Sequence, residues 1–171
     1  LWGNTILAQP VPQQYRKYFV SYVDKRSYLE KTLNFIGLTN QDLGRSFALI
    51  AGVSYYPNLS EPNLEPAAED LRKLEDYLKN VEFFDEIVVL KDQHMNYNNL
   101  EFFLQNYFPE RLRNFPRSRF LFAYSGHGIT EGSKGYLLRN TAQNLSDKQH
   151  SINIEVIRVL LEHPFGVNTT N

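Results

Sequence analysis

Ser46-Phe47-Ala48-Leu49-Ile50-Ala51-Gly52-Val53 is an unbroken, mostly apolar run of strand length. A run of this kind, bounded by turn-formers, reads as a strand buried on both faces, as found in parallel sheets. The turn-rich stretch Ser54 to Asn63 follows, with Pro57 and Pro62. Leu64, Ala67, Ala68, Leu71, Leu74 and Leu78 then recur every three or four residues, the spacing of a helix with one apolar face. Glu65, Glu69 and Asp70 lie in its early turns and Lys79 in its last, as the helix dipole favours. Glu86-Ile87-Val88-Val89-Leu90 reads as a second buried strand. Leu100, Phe103, Leu104, Tyr107 and Phe108 mark a second helix, with Asn98 or Asn99 as its cap and Pro109 ending its first regular part. Arg119-Phe120-Leu121-Phe122-Ala123-Tyr124 is a third strand. Strand, helix, strand, helix, strand implies right-handed crossovers and a parallel sheet with helices on its faces.

Outside this block, Tyr136-Leu137-Leu138 reads as a short strand after a Gly-rich turn. Ile152 to Leu161 reads as a third helix, stopped by Pro164 and Gly166, and the next strand of the alternation is expected beyond Asn171. Residues 1–42 read as a partly helical extension preceding an α/β domain over 43–171. Tyr18, Tyr22, Leu29, Leu33 and Ile36 recur there at helical spacing, and Gly37 closes the stretch. Leu1 to Ala8 reads either as the tail of a signal or anchor segment or as a ragged apolar start. The second is preferred, because the charged part of a signal is missing. Membrane contact is expected only through an upstream segment.

Composition narrows the function classes. The 171 residues are 42% hydrophobic and 22% charged, an ordinary globular balance. Eighteen Lys and Arg against nineteen Asp and Glu give a net charge of −1, so no basic excess points to nucleic acid or anionic lipid. Cys is absent, which excludes disulfides, Cys-based zinc sites and a cysteine nucleophile within these residues. His94, His150 and His163 share no metal-ligand spacing with one another or with His127, so no metal site and no cofactor are expected. The abundant Tyr and Phe read as core, because no basic stripe is interleaved with them.

The chemistry is expected after the third strand. In open parallel sheets, sites form at the carboxyl ends of strands. There Tyr124-Ser125-Gly126-His127-Gly128 places a His between two glycines. Glycine allows a sharp turn and close approach of a substrate. It also lets the Gly128 N–H face a bound oxygen rather than a partner strand. A His beside a free backbone donor suits acid/base work with oxyanion stabilisation, although a turn His without a role fits the spacing equally well.

Ser125-Gly126-His127-Gly128 after an apolar strand resembles the caspase-like cysteine peptidases, the clan of caspases and metacaspases (peptidase family C14, large-subunit p20-like domain). Three other segments extend the resemblance over about residues 43–163. Phe47 to Tyr56 is similar to the family's first strand and following turn. Leu64 to Leu71 is similar to the start of its first helix, with Asp70 at an acidic position, and Gly135 to Leu138 to the segment after the catalytic His. The resemblance implies a three-layer α/β fold with a mainly parallel sheet. It implies His127 as the catalytic His, Gly128 as oxyanion donor, and a peptide or protein substrate.

The implied nucleophile is a Cys on the next strand. Spacing of about 50 residues from His to Cys puts it near position 177, past Asn171. The expectation is therefore a domain that stops before its nucleophile strand, with an open edge prone to self-association. The alternative is a catalytically inactive interaction or scaffold module on the same fold. A serine hydrolase using His127 is disfavoured, because no Gly-x-Ser-x-Gly turn occurs. Animal caspases recognise Asp at P1 with Arg, one of them in the loop after the first strand. The loop Ser54 to Asn63 carries no Arg or Lys but does carry Glu61, which is expected to favour Arg or Lys at P1. Arg45 reads as a surface charge. The calcium dependence of several metacaspases is not readable here.

Overall fold

The computed structural model describes residues 11–22, 32–33, 35–39, 42 and 44–165. After a single helical turn, Gln13–Arg16, come β1 (Phe19–Tyr22), β2 (Ser46–Gly52), α1 (Glu65–Asn80) and β3 (Glu86–Lys91). Next come α2 (Tyr97–Glu101), a π-helical segment (Phe102–Tyr107), α3 (Phe108–Asn114) and β4 (Arg119–Ser125). A hairpin of β5 (Gly128–Glu131) and β6 (Lys134–Leu138), then β7 (Ser151–Asn153) and α4 (Ile154–Phe165), complete the described chain.

The main sheet has the order β1-β3-β2-β4, with β2 parallel to both β3 and β4. Alternation along β2 sends Phe47, Leu49 and Ala51 to one face and Ala48 and Ile50 to the other. The first face packs under the helical segment of residues 97–114 and α4; the second packs under Leu71 and Leu78 of α1. This is the expected three-layer α/β arrangement with a mainly parallel sheet. Each fully buried Leu or Ile of β2 is worth about 1.5–3 kcal/mol relative to exposure. Strand β4 is only half-buried, because a single neighbour pairs with it among the described residues.

The order also explains where a site forms. From β2 the chain moves through α1 to β3 on one side. From β3 it returns past β2, through the helices of the other face, to β4. Strands β2 and β4 are therefore adjacent strands whose connections leave in opposite directions, and a crevice opens at their carboxyl ends.

Several local expectations are corrected. The helical spacing of Tyr18 and Tyr22 is overridden. Residues 19–22 form an antiparallel edge strand on β3, and Val89 N–H donates to the Tyr18 carbonyl at 2.9 Å. Tyr18 is buried and Phe19 packs edge-on against Phe103 and Tyr107, so pairing and aromatic packing outweigh local periodicity. Residues 32, 33, 35 and 36 are helical, and Gly37 (φ +77°) ends them, with Leu38 N–H donating to the Leu33 carbonyl as in a Schellman cap. Leu29 and Gly166 lie outside the described residues.

Asn96, not Asn98 or Asn99, caps α2 by accepting the Asn99 N–H. Asn99 is instead buried and donates to Tyr18 Oη (3.2 Å) and the His94 carbonyl (2.8 Å). The first regular part of this helix does end before Pro109: π-helical turns follow α2, and Pro109 stands in the first turn of α3, where its missing N–H costs nothing. Arg45 is 4% exposed, with its guanidinium 4.0 Å from the centre of the Phe115 ring, so it belongs to the core rather than the surface.

Candidate active site

His127 follows β4 at its carboxyl end and lines a cleft of about 620 Å³. Leu59, Glu61 and Leu64 come to this cleft from the loop after β2, and Gln143 and Leu145 from the loop after β6. His127 and Glu61, 66 positions apart by their numbers, thus share one cleft. The residues lining it include no Lys or Arg.

The wall bearing Glu61 is held from beneath. Asp92, at the end of β3, accepts the N–H groups of Ser54 (2.9 Å) and Tyr55 (3.0 Å). It does so from a left-handed backbone (φ +52°), a conformation an Asp adopts at modest cost when the surroundings fix it. The loop closes on itself through Tyr56 N–H to the Pro62 carbonyl (2.7 Å) and Leu64 N–H to the Ser54 carbonyl (2.8 Å). In the opposite wall, Asp147 accepts the N–H groups of Gln143 (2.8 Å) and His150 (3.2 Å) and pairs with His150 Nδ1 (2.8 Å). The Gln143 N–H, with these His150 contacts, holds the Asp147 carboxyl below its usual value. Asn58 Nδ2 reaches across to the Thr141 carbonyl at 3.4 Å.

The backbone of His127 is fixed on both sides. Its N–H donates to Tyr56 Oη at 2.9 Å, and its carbonyl accepts from Tyr124 Oη at 3.2 Å and from the Leu138 N–H at 2.9 Å. The Tyr56 and His127 rings lie 4.9 Å apart, centre to centre. Burial pushes both phenols above their ordinary pKa, so they stay protonated through the physiological range. A Cβ on Gly126 would fall 2.4 Å from Tyr124 Oη, so only glycine fits there.

The register of the β5–β6 hairpin sets the direction of the Gly128 N–H. Gly128 lies opposite Leu137, while the hydrogen bond joins the flanking Leu138 and His127. Gly128 and Leu137 are therefore a non-hydrogen-bonded pair, whose N–H groups point away from the neighbouring strand. Strand β5 is the edge of its three-stranded sheet, so among the described residues no strand meets the Gly128 N–H, and Gly128 is exposed. A His at a strand's carboxyl end, a backbone donor turned outward beside it and a carboxylate in the same cleft could handle a polar, hydrolysable group.

Sequence reasoning named His127, Gly128 and Glu61 but not the residues that hold them: Tyr56, Tyr124, Asp92 and the loop carrying Gln143 and Leu145. The adjacent tyrosines Tyr55 and Tyr56 in a turn were the one available signal. Asp70, singled out with the first helix, accepts from Ser125 Oγ at 3.3 Å beside the site. Among the described residues, no group of three or more His, Asp or Glu is placed to hold a metal ion. Also among them, no helix is long and apolar enough to cross a membrane.

A family model, the caspase domain of peptidase family C14, matches residues 45–164. No curated protein and no solved structure matches the chain significantly. The matched span runs from the residue before β2 to the last turn of α4 and includes both walls of the cleft and His127 between them, so the chain belongs to the caspase-domain family.

Proposed function

We propose that this domain is the His-bearing part of a cysteine endopeptidase, whose thiol comes from outside residues 1–171, since these contain no Cys. The observation that carries the reading is His127 in the cleft at the switch point of the sheet, next to the outward-facing Gly128 N–H. In this reading His127 takes the thiol proton, and the thiolate attacks the scissile carbonyl. The Gly128 N–H holds the resulting oxyanion, a contact typically worth about 2.7–4 kcal/mol in the transition state. His127 then gives its proton to the leaving amine as the C–N bond breaks, leaving an acyl-enzyme for water to hydrolyse. Glu61, a carboxylate lining the same cleft as His127, supports Arg or Lys over Asp at P1.

The test uses the longer gene product carrying the Cys-bearing segment, with fluorogenic peptides ending in Arg, Lys or Asp. Alkylation-sensitive cleavage after Arg or Lys is expected, and His127→Ala should lower it at least about a hundredfold. Residues 1–171 alone should be inactive. Cleavage after Asp would remove Glu61 from the specificity reading. Turnover resistant to alkylation would revive a serine mechanism. A gene product without Cys at that position would make the domain an interaction module.

A further inference from the structure

Both polar backbone atoms of His127 end on tyrosine hydroxyls. The Tyr56 oxygen accepts the His127 N–H. Tyr124 gives its single proton to the carbonyls of His127 and Leu138. The backbone on both sides of the imidazole is thus pinned, the N–H by Tyr56 and the carbonyl by Tyr124. Tyr56 is fully buried and its ring stands beside the imidazole, so it constrains both the backbone and the side chain of one residue. Gly126 is the complementary feature, since any side chain there would collide with Tyr124 Oη.

We infer that Tyr56 and Tyr124 are positioning residues that hold the His127 imidazole in a single orientation toward the cleft. The inference rests on the assignment of His127 as acid/base group, but it can be tested without activity. Packing two phenols against a turn would serve stability alone if the imidazole were free to rotate, so its orientation is the deciding observable.

The experiment is NMR on the 171-residue chain with labelled histidine, His127 being identified from a His127→Gln variant. In the parent protein, three-bond couplings should report one χ1 rotamer for His127. In Tyr56→Phe the couplings should average over rotamers, and the His127 amide should exchange at least about fivefold faster, the loss of one buried hydrogen bond. Tyr124→Phe should give the same signature more weakly, since the Leu138 N–H still holds the His127 carbonyl. Tyr107→Phe is the control, a buried phenol bonded to Glu86 on the main sheet. It should cost stability and leave His127 unchanged.

A single retained rotamer in both folded Tyr56→Phe and folded Tyr124→Phe would overturn the inference, as would equal rotamer averaging in Tyr107→Phe. If Tyr56→Phe does not fold, Tyr124→Phe decides alone. In the thiol-bearing gene product, Tyr56→Phe should lower kcat about tenfold or more with KM nearly unchanged. Lost rotamer order without any peptidase activity in the parent would refute the peptidase reading but not the positioning.

Discussion

Replacing Arg111 by Met removes the guanidinium facing Glu86, a carboxylate with no exposed surface at the start of β3. Arg111 is 3% exposed; its Nη2 pairs with Glu86 Oε1 and its Nε reaches Oε2 at 3.3 Å. Tyr107 Oη completes the cluster, donating to Oε2 at 2.7 Å. Met preserves part of the packing against the nearby rings of Phe47 and Phe115, so the loss is mainly electrostatic. An uncompensated buried charge costs about 3–5 kcal/mol. At about 2–4 °C per kcal/mol for a chain of this size, Tm should fall by roughly 6–20 °C.

The origin of that cost can be separated from simple loss of contacts. Adding Glu86→Leu removes the stranded charge, leaving the Tyr107 hydroxyl without its acceptor at about 1–3 kcal/mol. The triple variant with Tyr107→Phe should come within about 2 kcal/mol of the parent, because replacing a whole buried ionic cluster with apolar groups is often neutral. Urea unfolding followed by far-UV circular dichroism measures all three. A cost below about 1 kcal/mol for Arg111→Met would refute the desolvated-pair reasoning, as would a triple variant no more stable than the single one.

Three further outcomes are expected. Gly126→Ala should destabilise by about 1–3 kcal/mol, through the clash with Tyr124 Oη, and shift the His127 signals in NMR. Deleting residues 1–22 should abolish cooperative thermal unfolding and cause association on size-exclusion chromatography, because it strips β1 from β3 and removes Tyr18 from the core. Asp147 has a lowered pKa in the folded protein, so its support for the cleft wall is fully present above its ordinary value of 3.8. That support is lost as pH falls through the lower folded value. Hydrogen exchange at the Gln143 amide should therefore accelerate in acid before the amides of β2 do, and Asp147→Asn should accelerate it already at neutral pH.

The alternation of strands and helices was legible because burial on both faces and burial on one face leave different local patterns. Continuous apolar runs marked β2, β3 and β4, and three-to-four spacing marked α1. The helical reading of Tyr18 and Tyr22 failed where the same logic has least power. Four residues at an edge carry little periodicity, and their conformation was decided by the free edge of β3, some 65 positions away. Arg45 misled for a related reason. A guanidinium is ordinarily a surface group, and the Phe115 face that receives it comes from a distant part of the chain.

For the site, sequence alone determined that a glycine-flanked His ends a parallel strand, that a loop with Glu61 follows the first strand, and that no thiol lies within these residues. Those are facts of residue type and of short-range pattern, which the chain carries wherever it folds. Only the tertiary structure decided that Glu61 and His127 share a cleft, that the Gly128 N–H turns away from β6, and that the hydroxyls of Tyr56 and Tyr124 hold the N–H and the carbonyl of His127. Each depends on strand order, on hairpin register, or on a hydrogen bond between residues as far apart as Tyr56 and His127. Such contacts leave no period in the sequence, because the free energy that selects them comes from partners that meet only once the sheet is assembled.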